Sequence, residues 1–153
     1  MATWQDRWRD AQGFWDLAQA GYDPSSGHAN PAVSNAIMAV IAANDAICIH
    51  LTRRQPKPES HIQAAELLRE ACKGKVWEEA ASERSRQLLE LLRQKNEAQY
   101  LGKPLPAERV AKIMKQAERF LEWAASVLPR AKAAGAGNGK RPKTATDGEQ
   151  DDG

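Results

Sequence analysis

The run NAIMAVIAANDAICIHL, residues 35–51, constrains the fold more than any other stretch of this chain. Ile37, Met38, Val40, Ile41, Ile47, Ile49 and Leu51 leave no polar face at helical spacing. A helix apolar nearly all round must be covered on every side. The core of the run is slightly short for a membrane span, and it carries Asn44 and Asp45 near its middle, where hydrocarbon would make them costly. The spacing therefore predicts the central helix of a bundle, from Asn30 to about Arg53. Asn30 followed by Pro31 reads as an N-cap with proline at the first helical position. A buried Asp45 needs a partner. Lys95 or Arg93 would supply one if the helices that carry them pack beside it.

The other segments also show helical rather than period-two spacing. Trp4, Trp8, Ala11, Trp15 and Ala18 recur every three or four residues, behind a capping-box-like Thr3–Asp6 pair, and predict a helix over 3–20 that ends at Gly21. Ser60 can cap a short helix through Leu67 and Leu68, broken at Gly74. A long helix follows from about Val76 to Leu101, stopped by Gly102. The last helix starts near Pro106, with a stripe of Val110, Ile113, Met114, Ala117, Phe120, Leu121, Ala124, Val127 and Leu128, and Pro129 ends it. These elements predict an all-α fold: an antiparallel, up-and-down bundle of four long helices and one short connector over residues 1–130. Residues 131–153 are Gly, Ala and charge, and read as a disordered tail whose basic part is Lys140–Lys143.

A net charge of +2 does not announce a nucleic-acid binder, so any such surface must be local. Two cysteines, Cys48 and Cys72, are too few for a disulfide framework or a zinc site, and read as reduced and buried. No two histidines have metal-pair spacing, so neither metal nor cofactor is expected. His28 lies in a loop and His50 closes the central helix. The opening MATWQDRWRD is charged at once and is not a signal peptide, which points to the cytoplasm with no membrane association.

The stretch LLRQKNEAQYLGKPLPAERV, residues 91–110, carries the chemistry. At about 100° per residue, Leu88, Leu91, Leu92 and Lys95 share the broad core face, while Arg93, Asn96 and Tyr100 form a second stripe. The stripe is expected to converge on one groove, with Lys95 at its inner edge, where its ammonium must snorkel or meet an anion. Arg53 and Arg54, with Lys57 in the same loop and Arg84 and Arg86 on the long helix, could extend a basic groove. The tryptophan stripe of the first helix reads chiefly as core or a dimer face.

AQGFWDLAQAG, NAIMAVIAANDAICIHL, PESHIQAAELL and LLRQKNEAQYLGKPLPAERVAKIMKQAERFLEWAASVL together resemble the successive helices of HEPN-superfamily bundles, over roughly residues 11–128. The resemblance implies a homodimer with a cleft between motif helices. It implies either a metal-independent ribonuclease of toxin–antitoxin or defence systems, or a relative that has lost catalysis and binds RNA or a protein partner such as an antitoxin. A nucleotide-binding adaptor is a further member type. The family motif is Arg, four to six residues, then His, often with Asn after the Arg. Here Lys95-Asn96 with Tyr100, or Arg93 with Tyr100, matches the spacing, and Tyr stands where His is expected. The resemblance thus assigns Arg93, Lys95 and Tyr100 to the catalytic position. Arg93, Asn96, Arg53 and Arg54 would hold RNA phosphates, and Asp45 and His61 would orient the site or the helix end. A tyrosine hydroxyl, ordinarily near pKa 10, is a poor base near neutrality. The expectation is a degenerate site that binds phosphate rather than cutting RNA efficiently, with a protein-assembly module or an active endoribonuclease toxin as alternatives.

Overall fold

Five helices and no strand form among the described residues, which in this computed structural model are 1–100 and 102–130, apart from the side chain of Tyr100. They are α1 (Trp4–Gly21), α2 (Asn30–Thr52), α3 (His61–Cys72), α4 (Glu78–Tyr100) and α5 (Ala107–Val127). The expectations for residues 131–153, including Lys140–Lys143, lie outside the described residues.

Local sequence sets most boundaries. The Thr3 hydroxyl accepts from the Asp6 N–H, and the Asp6 carboxylate accepts from the Thr3 N–H, completing the capping box. The Ser60 hydroxyl accepts from the Gln63 N–H at 3.1 Å and starts α3. Gly74 and Gly102 stand at φ of +77° and +70°, the left-handed region that glycine enters without a Cβ penalty. Asn30 departs from its expected role. The N-cap of α2 is Ala29, and it makes no side-chain capping bond. The Asn30 amide donates instead to the Lys103 carbonyl at 2.8 Å, and its oxygen accepts from the Leu105 N–H at 3.0 Å. One buried asparagine thereby holds the loop between α4 and α5 against the start of α2.

Helix α2 packs against all four other helices, as its lack of a polar face demands. Its alanines at 32, 36, 39, 43 and 46 repeat every three or four residues and are all buried. Such small side chains let α1 run alongside at close range over most of its length. Trp4 meets His50 with ring centroids 5.4 Å apart, and Arg7 meets Asp45, so α1 and α2 are antiparallel. Ala11 and Ala18, fully buried, face the alanine-rich side, while Trp8, Phe14 and Trp15 flank the seam half-buried. Helix α1 contacts no other helix.

On the opposite side, Gln99 of α4 donates to the Ser34 hydroxyl near the start of α2, so α4 is also antiparallel to α2. Arg109 near the start of α5 donates to Gln94 and Glu97 of α4, which makes α5 antiparallel to α4 and parallel to α2. The α5 stripe is buried at every position named from the sequence. By length and composition α2 could cross a membrane, yet 78% of its apolar window is buried inside the bundle, so here it is the core helix.

Asn30→Ala removes both bonds to the α4–α5 loop and leaves the N–H of buried Leu105 without a partner. It should lower stability by about 1–3 kcal/mol, read as a lower urea midpoint with an unchanged slope.

Candidate anion-binding surface

The polar break in α2 organises one side of the bundle. Asp45 is 6% exposed and faces α1. Arg7 donates to Asp45 Oδ2 through Nε at 3.1 Å and Nη2 at 2.9 Å, and its Nη1 donates to Asp10 at 2.7 Å. Gln55, from the loop after α2, adds a third donor to the same Oδ2 at 3.4 Å. The expected partners of Asp45, Lys95 and Arg93, are therefore replaced by Arg7. The reason is geometric: α1 lies closest to α2 on that side and delivers a guanidinium whose stem packs along the seam. Burial pushes the Asp45 carboxyl above the usual carboxylate range, and the Arg7 charge, its hydrogen bonds and the Gln55 amide pull against that rise.

Oδ1 of Asp45 accepts no hydrogen bond from any described residue, and it is not among the fully buried unpaired atoms. Asp45 borders a cleft of about 350 Å³ between α2, α3, α4 and the α2–α3 loop. Arg7, Gln55, Lys57, His61 and Lys95 also border it, over a lining that includes Met38, Ile41, Leu88 and Leu92. Lys95, half-buried at the end of the core face, makes no ion pair among the described residues. His61 is the first residue of α3, and Ser60 alone supplies the side-chain cap. The helix-end bonding expected of His61 is absent among the described residues, and its imidazole borders the cleft instead.

The remaining site residues lie elsewhere. Arg93 is exposed and lines a second, shallower groove of about 310 Å³ between α4 and α5, with Glu90, Gln94, Arg109 and Lys112. Arg93 and Lys95 stand two positions apart, which turns them roughly 200° apart on α4. The two cations therefore serve different concavities, one on each flank of the helix, rather than a single groove. Asn96 is exposed and borders neither concavity. Tyr100 closes α4, and its side chain lies outside the described residues, so the Tyr-for-His position has no described geometry. Arg53 is exposed at the C-cap of α2 with φ of 61°, and Arg54 pairs loosely with Glu70 at 3.5 Å. Neither arginine borders the cleft or the groove.

Sequence reading missed Arg7, Gln55, Arg109 and Lys112. For Arg7 a signal existed. It stands three residues after Trp4 and four before Ala11, inside the buried stripe, and a cation there requires a buried carboxylate opposite. Arg109 and Lys112 look like ordinary solvated charges until α5 is laid against α4.

No protein-family model matches this chain, and no curated protein matches it. Among the described residues no group of three or more His, Cys, Asp or Glu is placed to hold a metal ion.

Arg7→Met should cost about 3 kcal/mol, because it strands a buried carboxylate. The double change Arg7→Met with Asp45→Leu should recover most of that loss in chemical denaturation. The pH dependence has two arms. Burial lowers the His50 pKa from its ordinary 6.5, so the folded state resists protonation there, and stability falls as pH drops below 6.5 towards the folded value. The raised Asp45 pKa acts the other way, and its contribution declines as pH climbs above 3.8. Melting temperature should fall between neutrality and mildly acid pH, and His50→Leu should flatten that part of the profile.

Proposed function

We propose that this is a HEPN-like bundle that holds the phosphate backbone of single-stranded RNA across the C-terminal half of α4, without cutting it efficiently. One observation carries the reading. Concavities flank α4 on both sides, and each contains two cations with no carboxylate partner among the described residues: Lys57 and Lys95 in the cleft, Arg93 and Lys112 in the groove. Arg109 is held by Glu97 and Gln94 and supports the groove more than it offers free charge. Asn96, exposed on the ridge between, can donate to a phosphate or sugar. Unpaired cations on either side of a narrow ridge suit a strand that crosses it, because neutralising them releases counterions from the strand.

The weak-catalysis half of the reading rests on chemistry. Proton transfer near neutral pH favours imidazole over phenol, and the motif offers Tyr100 in that place. The family likeness makes a toxin–antitoxin or defence role, a homodimer and a protein partner such as an antitoxin part of the same proposal. Buried free thiols at Cys48 and Cys72 support a cytoplasmic setting.

The test is binding of a fluorescent single-stranded RNA across a salt series. Four phosphate contacts predict a slope of log affinity against log salt of about −3, and Arg93→Ala with Lys112→Ala should make it shallower by roughly 1.4. The RNA should stay intact in chelator. Absence of salt-dependent binding would replace this reading with the protein-assembly one. Metal-independent cleavage that His61→Ala or Tyr100→Phe abolishes would replace it with the ribonuclease one.

A further inference from the structure

A third concavity, of about 340 Å³, lies at the opposite end of the bundle from Asp45, between the α1–α2 loop and the first turns of α5. Its floor is apolar and buried, with Ala29, Leu105 and Val110. Its rim carries two exposed carboxylates, Asp23 from the loop and Glu108 from α5, and the half-buried ring of Tyr22. No lysine or arginine is among the described residues that border it. Both donors to Asp23, the Ser25 N–H at 3.0 Å and the Ser25 hydroxyl at 2.8 Å, fall on Oδ1, so Oδ2 has no donor among the described residues. Those bonds, the backbone N–H first, hold the Asp23 carboxyl below its usual range and keep it ionised. Glu108 makes no ion pair among the described residues. The nearby cations of α5 turn elsewhere: Arg109 and Lys112 border the α4–α5 groove, and Lys115 pairs with Glu118. An apolar floor under a rim of two carboxylates is complementary to cations grouped around an apolar side chain.

The chain itself carries that chemistry in Lys140, Arg141, Pro142 and Lys143. The stretch before it, AKAAGAGNG at residues 131–139, holds small residues and a single cation, Lys132. Length decides which cation can arrive. Helix α5 runs from Ala107 to Val127, so its axis measures ~30 Å, and a segment leaving its C-terminal end must return that far to meet the rim. The ten-residue step from Arg130 to Lys140 reaches up to ~35 Å, whereas the two-residue step to Lys132 reaches only ~7 Å. Lys140 is thus the first cation past Arg130 with the required reach, and Arg141 and Lys143 follow at once. We propose that the concavity beside Tyr22 is the docking site of this chain's own basic stretch, Lys140–Lys143, with Pro142 over the apolar floor and the cations on Asp23 and Glu108. Ion pairs at an exposed rim are individually weak, but the tether makes their formation intramolecular and raises the effective concentration to the millimolar range. The inference is independent of the RNA reading.

Carbodiimide coupling of the full chain in dilute solution tests the proposal. The reagent joins an amine to a carboxylate in direct contact: the amide C–N bond forms, and the carbodiimide takes up the water and leaves as a urea. Peptide mapping of the monomeric product should show Lys140 or Lys143 joined to Asp23 or Glu108, and about 1 M salt should suppress the linkage. Methyl NMR supplies a readout without chemistry. Lys140→Glu with Arg141→Glu and Lys143→Glu should shift the signals of Leu105 and Val110 and leave those of Leu88 and Leu92 in place. No coupling between those pairs overturns the proposal, as do Leu105 and Val110 signals indifferent to the three charge reversals. Coupling confined to a dimeric product also overturns it, and assigns the concavity to the same stretch of a second copy.

Discussion

Helix α2 cannot face water on any side, and the rest of the molecule is arranged around that constraint. A helix with one apolar stripe can lie at the rim of a bundle, but one without a polar face has to be enclosed. Four helices supply the cover. They do so unequally, because the side chains of α2 differ around its circumference. The alanine side accepts α1 at close range, and the larger Ile, Val and Met side chains meet α4 and α5 or border the cleft. The fold is thus an up-and-down bundle in which α1 is attached to the centre alone.

The same enclosure makes the polar pair Asn44–Asp45 consequential. Buried in a helix that must be dry, each needs a partner. Asn44 donates to the Ala64 carbonyl at 3.4 Å and ties α3 to α2, while Asp45 draws Arg7 inward from α1. Helices α1 and α3 therefore converge on neighbouring residues of α2, and the short loop between α2 and α3 folds over them with Gln55 and Lys57. The cleft lies beside this polar clamp, bordered by Gln55 and Lys57 of the loop, by His61 and Ala64 of α3 and by Leu88, Leu92 and Lys95 of α4.

Much of this organisation is legible in the primary structure. The helix spans, the Thr3–Asp6 and Ser60 caps, the glycine stops and the α5 stripe depend on short-range backbone chemistry and on periodicity, and both are written in consecutive residues. The need of Asp45 for a cation was also legible, since desolvation follows from its place in an apolar run. Its partner was not, because Arg7 lies 38 positions away and becomes a neighbour only once α1 is laid antiparallel along α2. Asn30 shows the same limit. Its type and its Pro neighbour fit a cap equally well, and only the position of the α4–α5 loop turns the side chain to a different use.

The basic residues of α4 mark the division most clearly. The helical repeat by itself turns Arg93 and Lys95 to different sides of α4, since a step of two residues passes through more than half a circle, and the expectation of one groove with Lys95 at its inner edge did not carry that through. Which surroundings each would meet was decided by tertiary structure alone. Helix α5 lies along one flank and gives Arg93 the company of Arg109 and Lys112. The α2–α3 corner lies along the other and gives Lys95 a view of Asp45, Lys57 and His61. Angular position on a helix is local geometry, fixed by the backbone repeat. The charge and shape of what a side chain faces depend on distant segments that pack there to bury their own apolar stripes, and no stretch of consecutive residues contains that information.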